Sequence, residues 1–371
     1  MSVNNAALSK PRKPPVLIMP VQDDYNQQCD LYNVSGSKIS QANSRAKSDQ
    51  SSRCVGSSKG WLILDHSDQT NEGSLSIFSP LSGNVRKIVL PSCARPSGFC
   101  TRWISKAVLT LSPGSSGEKY GVVFLYGVCD YKVAFLSTCG DQDEGNKWID
   151  LKSSGGSYSD VLSNQDSVFA LLTSGFVDVW DLRSGTEGGF VKNLRIETKC
   201  LDRVVELEPN LRDLYTSNSY LVESKGNLLL VIRITGEFVR ENGEVVNEGA
   251  LLDDEVYSHL VLPYKTKNFY VHKLDMRLRK WVRIDSLDDQ ALFLGLNESV
   301  SFAASDIPDC RGNSIYFTDD HWDHINIHEH DLYGGHDMGI FSLSDKNVEE
   351  IFEIRRMVPP PVWIDQKVSA V

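Results

Sequence analysis

"SVFALLTSGFVDVWDLRSG", residues 167–185, holds two runs of β-branched, aromatic and aliphatic residues, separated by Thr173-Ser174-Gly175 and closed by Arg183-Ser184-Gly185. Apolar runs of this length, punctuated by small and polar turn formers, mark strands joined by a hairpin, and no helical periodicity competes with that reading. Two further runs flank it, "YSDVLSN" (158–164) and "FVKNLRIE" (190–197), so this part of the chain reads as four successive strands.

Working outward, similar sets recur at intervals of roughly 45 to 65 residues, the length of one propeller blade. Before it come "GWLILDH" (60–66), "SLSIFSPLSG" (74–83) and "VRKIVLP" (85–91), then "KAVLTLS" (106–112), "YGVVFLYG" (120–127), "VAFLSTC" (133–139) and "KWIDL" (147–151). After it come "SYLVESKG" (219–226), "NLLLVIRI" (227–234), "NFYVHKLD" (268–275) and "KWVRIDSL" (280–287). The last set is "ALFLGLNESVSFAAS" (291–305), "NSIYFTDD" (313–320), "MGIFSLSD" (338–345) and "VEEIFE" (348–353). Weak repeats of antiparallel meanders predict an all-β chain forming a single β-propeller.

Third strands tend to end in a turn such as "DLRSG" or "SLSDKN", and the fourth then starts on a bulky residue, which favours a propeller over a sandwich. Three runs are left over: "PPVLIMP" (14–20), "CDLYNVSGSKIS" (29–40) and "PPPVWI" (359–364). Together they predict a blade shared by N- and C-terminal strands, a clasp that pairs otherwise open edges. The expected count is six blades of four antiparallel strands, with seven as the alternative. The propeller domain is placed at 14–364, between a disordered tail at 1–13 and a C-terminal tail at 365–371. Residues 39–52 and 236–255 lack apolar periodicity and are expected to be polar loops.

Composition bounds the function. A net charge of −11 argues against sequence-independent nucleic-acid binding, which is built from neutralised phosphates. Charge is uneven: residues 1–60 hold eight Lys or Arg against four Asp and carry +4, leaving −15 on the remainder. The basic start has no acid before Asp23, as in a transit peptide, but it lacks an Arg-rich amphipathic stretch and reads as a disordered tail. The longest apolar runs, such as "LLLVIRI" (228–234), are far short of a membrane span, and no signal peptide opens the chain. Eight cysteines without a C-x-x-C pair fit a reducing compartment, so a cytoplasmic or nuclear protein is expected; the sequons at Asn33 and Asn297 carry no meaning there.

Few motifs suggest chemistry. His321, His324, His328, His330, His336 and Asp337 crowd into one segment and raise a metal hypothesis, since neutral imidazole is a common ligand. Nothing in the sequence holds those rings in a tetrahedron, so the segment reads as a solvated connection between the second and third strands of the fifth set, dispensable for folding. "GSSKG" (56–60) matches a nucleophile elbow with Ser58 as nucleophile, but a strand rather than a helix follows it. "SPGSSGEKYG" (112–121) lacks the end of a phosphate-binding loop and reads as a turn. Asp319 with Asp320, and Asp253 with Asp254, are adjacent and point to opposite faces of any strand, so they read as solvated acids. Trp61, Trp148, Trp180 and Trp281 occupy similar places in different sets and are expected to pack blade against blade. No catalytic, cofactor-binding or metal-binding residue is assigned, and no cofactor is expected.

The blocks "RCVGSSKGWLIL" (53–64), "IFSPLSGNVRKIVLP" (77–91), "YLVESKGNLLLVIR" (220–233), "FYVHKLDMRLRKWVRIDSLDDQALFLGLNESVSFAA" (269–304), "NSIYFTDD" (313–320), "HDMGIFSL" (336–343) and "PPPVWI" (359–364) resemble the successive signature blocks of the plant family called domain of unknown function 295, also described as an F-box-associated β-propeller. With "PPVLIMP" the resemblance covers residues 14–364. It implies a non-catalytic protein-interaction module binding a protein partner through one propeller face. In many members an N-terminal F-box binds the Skp adaptor of a cullin-based ubiquitin ligase. Only "MSVNNAALSKPRK" (1–13) stands before the first strand-like run, too little for a stable helix, so the expectation is a member without the F-box and without Skp binding. A ubiquitin-ligase substrate receptor is the second reading and a metal-dependent hydrolase the third.

Overall fold

The computed structural model describes residues 13–20, 29–42, 53–66, 73–81, 86–92, 95–113, 120–138, 146–151, 155–164, 167–182, 192–198, 214–246, 261–321, 335–351 and 361–366. Three strands, β1 (Lys13–Pro20), β2 (Cys29–Tyr32) and β3 (Lys38–Ala42), lead into blade I, made of β4 (Arg53–Ser58), β5 (Trp61–His66), β6 (Ser74–Ser79) and β7 (Arg86–Val89). Blade II is β8 (Ile104–Leu109), β9 (Gly121–Tyr126), β10 (Lys132–Ser137) and β11 (Lys147–Leu151). Blade III is β12 (Tyr158–Asn164), β13 (Ser167–Leu172), β14 (Val177–Asp181) and β15 (Lys192–Ile196). Blade IV is β16 (Tyr215–Ser224), β17 (Asn227–Arg240), β18 (Val261–Asp275) and β19 (Lys280–Ile284). Blade V holds β20 (Gln290–Leu294), β21 (Val300–Ala303), β22 (Ser314–Phe317), β23 (Gly339–Ser342) and β24 (Val348–Glu349). The last strand, β25 (Val362–Gln366), joins β1, β2 and β3 as blade VI.

The protein is thus a six-bladed β-propeller whose inner strands β25, β4, β8, β12, β16 and β21 surround the axis. Its core is divided among the interfaces between blades, which explains why the strands read as unbroken apolar runs. In β13, Val168, Ala170 and Leu172 pack towards Val108, Val123 and Leu125 of blade II, while Leu171 packs towards Leu221, Leu230 and Ile232 of blade IV. Successive side chains point to opposite faces, so a strand buried on both faces must be apolar at every position. Each fully buried aliphatic or aromatic side chain contributes about 1.5 to 3 kcal/mol. Three indoles bond across blades as well as pack: Trp61 Nε1 donates to Ser112 Oγ, Trp148 Nε1 to the Pro91 carbonyl and Trp281 Nε1 to the Gly175 carbonyl. Trp180 is buried against Tyr158 at the interface between blades II and III.

Near the axis the inner strands approach closely enough to demand glycine. A Cβ on Gly56 would strike the backbone carbonyl of Ala107 in β8, beside a bulge that shifts the register of β4 on β5. Gly56→Ala is expected to lower stability by about 1 to 3 kcal/mol through overpacking, read as a reduced urea midpoint at unchanged slope.

The clasp forms as the sequence predicts. β25 pairs antiparallel with β1 in the register Val16↔Ile364, Leu17↔Trp363 and Ile18↔Val362, making the C-terminal strand the inner strand of blade VI. Leu17, Met19 and Trp363 pack on Phe293 and Tyr316 of blade V, and Val16, Ile18, Val362 and Ile364 face Cys54, Leu62 and Leu81 of blade I.

Two expectations are corrected. "ALFLGLNESVSFAAS" is a hairpin rather than a single strand: Gly295, at φ +146°, ends β20, and β21 returns along it. The next strand, β22, lies on the other side of β20 and runs parallel to it, so blade V has five strands. Residues 236–255 do not begin as a loop either. β17 continues to Arg240 and pairs with β18 through Val239↔Leu262, because Val239 and Tyr264 find buried places in a two-stranded ribbon that a period-two reading of "GEFVR" missed. Likewise β3 extends to Ala42, into the first residues of the 39–52 segment. Of the expected tails at 1–13 and 365–371, Lys13 belongs to β1 and Asp365 and Gln366 to β25, and the rest lies outside the described residues.

Candidate interaction face

Each inner strand from β4 to β16 runs in the same sense along the axis, so their first residues gather at one face and their last residues at the other. At the first face a cavity of about 790 Å³ is walled by Arg53 of β4, Ile104 to Lys106 of β8, Tyr158 to Asp160 of β12 and Ser217 to Tyr220 of β16. Its rim carries Arg102, Trp103 and Val128. Trp103 is 47% exposed and Val128 57%, although both are large apolar side chains, and Arg102 beside them is also exposed. The rim is held rigidly. Arg53 Nη2 donates to the carbonyls of Thr101, Arg102 and Ile104, and Gly127 N–H donates to the Trp103 carbonyl, tying together the two loops that carry these side chains.

Inside the cavity the walls are joined by buried charge. Lys106 Nζ lies 2.7 Å from Asp160 Oδ1, and Asp160 Oδ2 accepts the Leu221 N–H at 2.7 Å, so blades II, III and IV meet at one carboxylate. Burial raises the Asp160 carboxyl above the ordinary aspartate value, even against the pull of Lys106. The floor is the β20–β21 connection. Gly295 and Leu296 face the cavity, and Glu298 below them reaches across the axis: it accepts Ser58 Oγ at 2.6 Å, Lys59 Nζ at 2.9 Å and the Ser163 N–H at 3.0 Å. Ser58 is buried and also accepts the Leu109 N–H, so the "GSSKG" serine is a fastener between blades in a strand-turn-strand setting. Asn297, the sequon residue, is buried with its Nδ2 donating to the Phe293 and Glu298 carbonyls.

Beside the cavity, between blades IV and V, lies a buried polar network that the sequence did not reveal. Arg233, near the end of "NLLLVIRI", is 0% exposed. Its Nε donates to Thr266 Oγ1, Nη1 to Asp320 Oδ1 and the Thr318 carbonyl, and Nη2 to Asp337 Oδ2 and the Asp337 carbonyl, while the guanidinium stacks 4.7 Å from the Phe317 ring centre. Burial alone would raise the Asp337 carboxyl. Arg233 and the two Thr266 donors outweigh it and hold the carboxyl below its ordinary value.

This network overturns the solvated reading of the histidine segment at both of its ends. Asp319 is 0% exposed, accepting Tyr264 OH at 2.6 Å and the N–H groups of His321, His336 and Asp337. Asp320 accepts Tyr220 OH, and burial together with that carboxylate raises the Tyr220 hydroxyl well above its ordinary value. His336 is buried with Nε2 2.9 Å from the Tyr264 carbonyl, so that nitrogen carries the proton; His321 is buried with Nε2 3.4 Å from Asn218 Nδ2. Each oxygen of the two carboxylates has a donor, and Tyr220, Arg233 and Tyr264 bring theirs from distant strands, which spacing in sequence cannot show. Among the described residues, no three His, Cys, Asp or Glu side chains group in a way that could hold a metal ion. His324, His328, His330, Asp253 and Asp254 lie outside the described residues.

A pH dependence follows. Because the folded value of Asp337 is depressed below the unfolded value of about 3.9, its charge stabilises the fold at higher pH, and that contribution is lost as pH falls through the folded value. Asp337→Asn is expected to flatten the loss of melting temperature below about pH 4, measured against the wild type in a pH series.

These features define the class: a six-bladed β-propeller with a side-chain-lined cavity open on one face. The chain belongs to the KIB1-4 beta-propeller family, whose model matches residues 31–342. It is similar to the F-box protein SKIP23 of Arabidopsis thaliana, 28% identical over 162 residues that make up 41% of this chain and 37% of the relative. A probable F-box protein of the same plant, At1g65740, is 24% identical over 273 residues, 71% of this chain and 66% of the relative. The chain therefore spans less than two thirds of either relative. Among solved structures, apo AztD from Citrobacter koseri aligns at 10% identity with a TM-score of 0.29, covering 61% of this chain and 54% of that one.

Proposed function

We propose that this protein is a non-catalytic interaction module that holds a protein partner against the cavity face. The observation that carries the reading is the rim: an exposed Trp103 and Val128 beside Arg102, fixed by Arg53 at the mouth of a formed cavity. Trp and Arg dominate binding energy where they can be enclosed by a partner, and exposed apolar groups at a cavity mouth gain most from being covered. None of the three was distinguished in the sequence; an Arg-Trp pair in a short connection between strand sets was the available signal.

Affinity purification from plant extract tests it. Trp103→Ala is expected to weaken capture of the partner by about 30-fold or more, the loss of a hot-spot residue. Leu278→Ala, an exposed apolar side chain in the β18–β19 turn at the opposite face, is expected to leave capture unchanged. Equal capture by both variants and the wild type would place the partner elsewhere.

The F-box names of the relatives favour a second reading, that the partner is a target delivered to a cullin-based ubiquitin ligase. The same purification separates the two: recovery of the Skp adaptor and cullin with the wild-type chain supports the ligase reading, and recovery of a partner without them supports a scaffold.

A further inference from the structure

Where the clasp meets the axis, a cavity of about 10 Å³ is lined by Ser57 and Ser58 at the end of β4, by Asn297 and Glu298 of the floor, by Trp363 of β25, and by Pro15, Val300 and Asp365. Three of these residues present polar atoms that have no hydrogen-bond partner among the described residues: Ser57 Oγ, Asn297 Oδ1 and Trp363 Nε1. All three residues are at least 98% buried. They come from three separate parts of the chain, blade I, the β20–β21 connection and the C-terminal strand.

Such atoms are costly to leave unpaired, about 1 to 3 kcal/mol each, and three of them on residues that line one small cavity point to a shared partner. Their chemistry identifies it. Trp363 Nε1 can only donate, and it disfavours a cation. Asn297 Oδ1 can only accept, and its orientation is fixed because Nδ2 already donates to the Phe293 and Glu298 carbonyls. Ser57 Oγ can do either. A group that accepts once, donates once and makes a third bond of either sense, in a volume of about 10 to 15 Å³, is a water molecule.

We infer that this cavity is a binding site for one long-lived water, bonded to Trp363 Nε1, Asn297 Oδ1 and Ser57 Oγ, which joins the C-terminal strand to blade I and to the floor of the funnel. The water completes the seam already formed by the Glu298 N–H to Ser57 carbonyl bond and the Ser57↔Asn297 bridge. Ring closure and floor position are thereby coupled through a molecule that the sequence does not encode.

The test combines a crystal structure fine enough to place waters with magnetisation transfer from water to tryptophan indoles in ¹⁵N-tryptophan-labelled protein. One density peak within hydrogen-bond distance of all three atoms is expected, and the Trp363 indole N–H is expected to show a water cross-peak with the sign of a long-lived complex. Ser57→Ala removes one of the three partners and is expected to lose that cross-peak. Trp363→Phe assigns the resonance; if that variant does not fold, the indole whose shift changes in Ser57→Ala assigns it instead. No density peak, or an indole N–H bonded to the Glu298 or Asp365 carboxylate, would overturn the inference.

Discussion

Replacing Arg233 with Met is expected to lower stability by about 3 to 5 kcal/mol, the cost of removing one partner from a buried ion pair and leaving the other charged. The size of the effect comes from what remains. Asp320 and Asp337 both lose their guanidinium, and the Thr318 and Asp337 carbonyls lose a donor, with Asp337 buried away from water. Met restores the volume of the side chain, so the loss is electrostatic rather than a cavity. Arg233→Lys is expected to fare little better, since an ammonium cannot reach Thr266, Asp320 and Asp337 from one plane. Urea unfolding measures both, and a stability within 1 kcal/mol of wild type would show that the network relaxes or takes up water when the cation is gone.

The second large effect belongs to the clasp. Trp363 is 1% exposed, edge-on to Phe293 at 5.1 Å and to Tyr316 at 6.1 Å, and paired through its backbone with Leu17. Trp363→Ala is expected to cost about 3 to 5 kcal/mol for the lost burial and the cavity left behind. Removing residues 361–371 altogether takes away the inner strand of blade VI and exposes the edge of β1, so the ring loses its closure as well as its packing. A truncated chain that melts at the wild-type temperature would mean that blade VI is held without β25.

The blades were legible in the sequence because a propeller strand buried on both faces is a continuous apolar run, and the turns between runs are spelled by Gly, Ser, Asn and Asp. The clasp was legible for the same reason: "PPVLIMP" and "PPPVWI" were strand-like runs without a set of their own. What was hidden depends on partners far apart in the chain. Arg233 looked like a lone cation closing an apolar run, and its carboxylate partners Asp320 and Asp337 lie far along the chain in blade V. Asp319 and His336 looked like the solvated ends of a polar loop, because no local pattern distinguishes an acid facing water from one enclosed by Tyr264 and three N–H groups. The parallel placement of β22 on β20 was hidden inside an apolar stretch whose break, Gly295 to Ser299, reads as a short irregularity yet forms the floor of the cavity.

The candidate face was the least legible part. Arg102 and Trp103 sit in the connection from blade I to blade II and Val128 in the β9–β10 loop, and no local sequence pattern shows that the fold brings both loops to the mouth of one cavity. Their arrangement resembles the centre of many interfaces, an aromatic anchor and an arginine beside a concavity, with the Lys106–Asp160 pair stiffening the wall behind them.

The claim that this face carries the function is tested most directly by hydrogen–deuterium exchange of the propeller with its purified partner bound. The account expects protection concentrated at residues 101–105, 127–131 and 217–220, with the turn at 275–279 on the opposite face unchanged. Protection confined to 275–279 or to the outer strands, with the cavity rim exchanging as in the free protein, would contradict it.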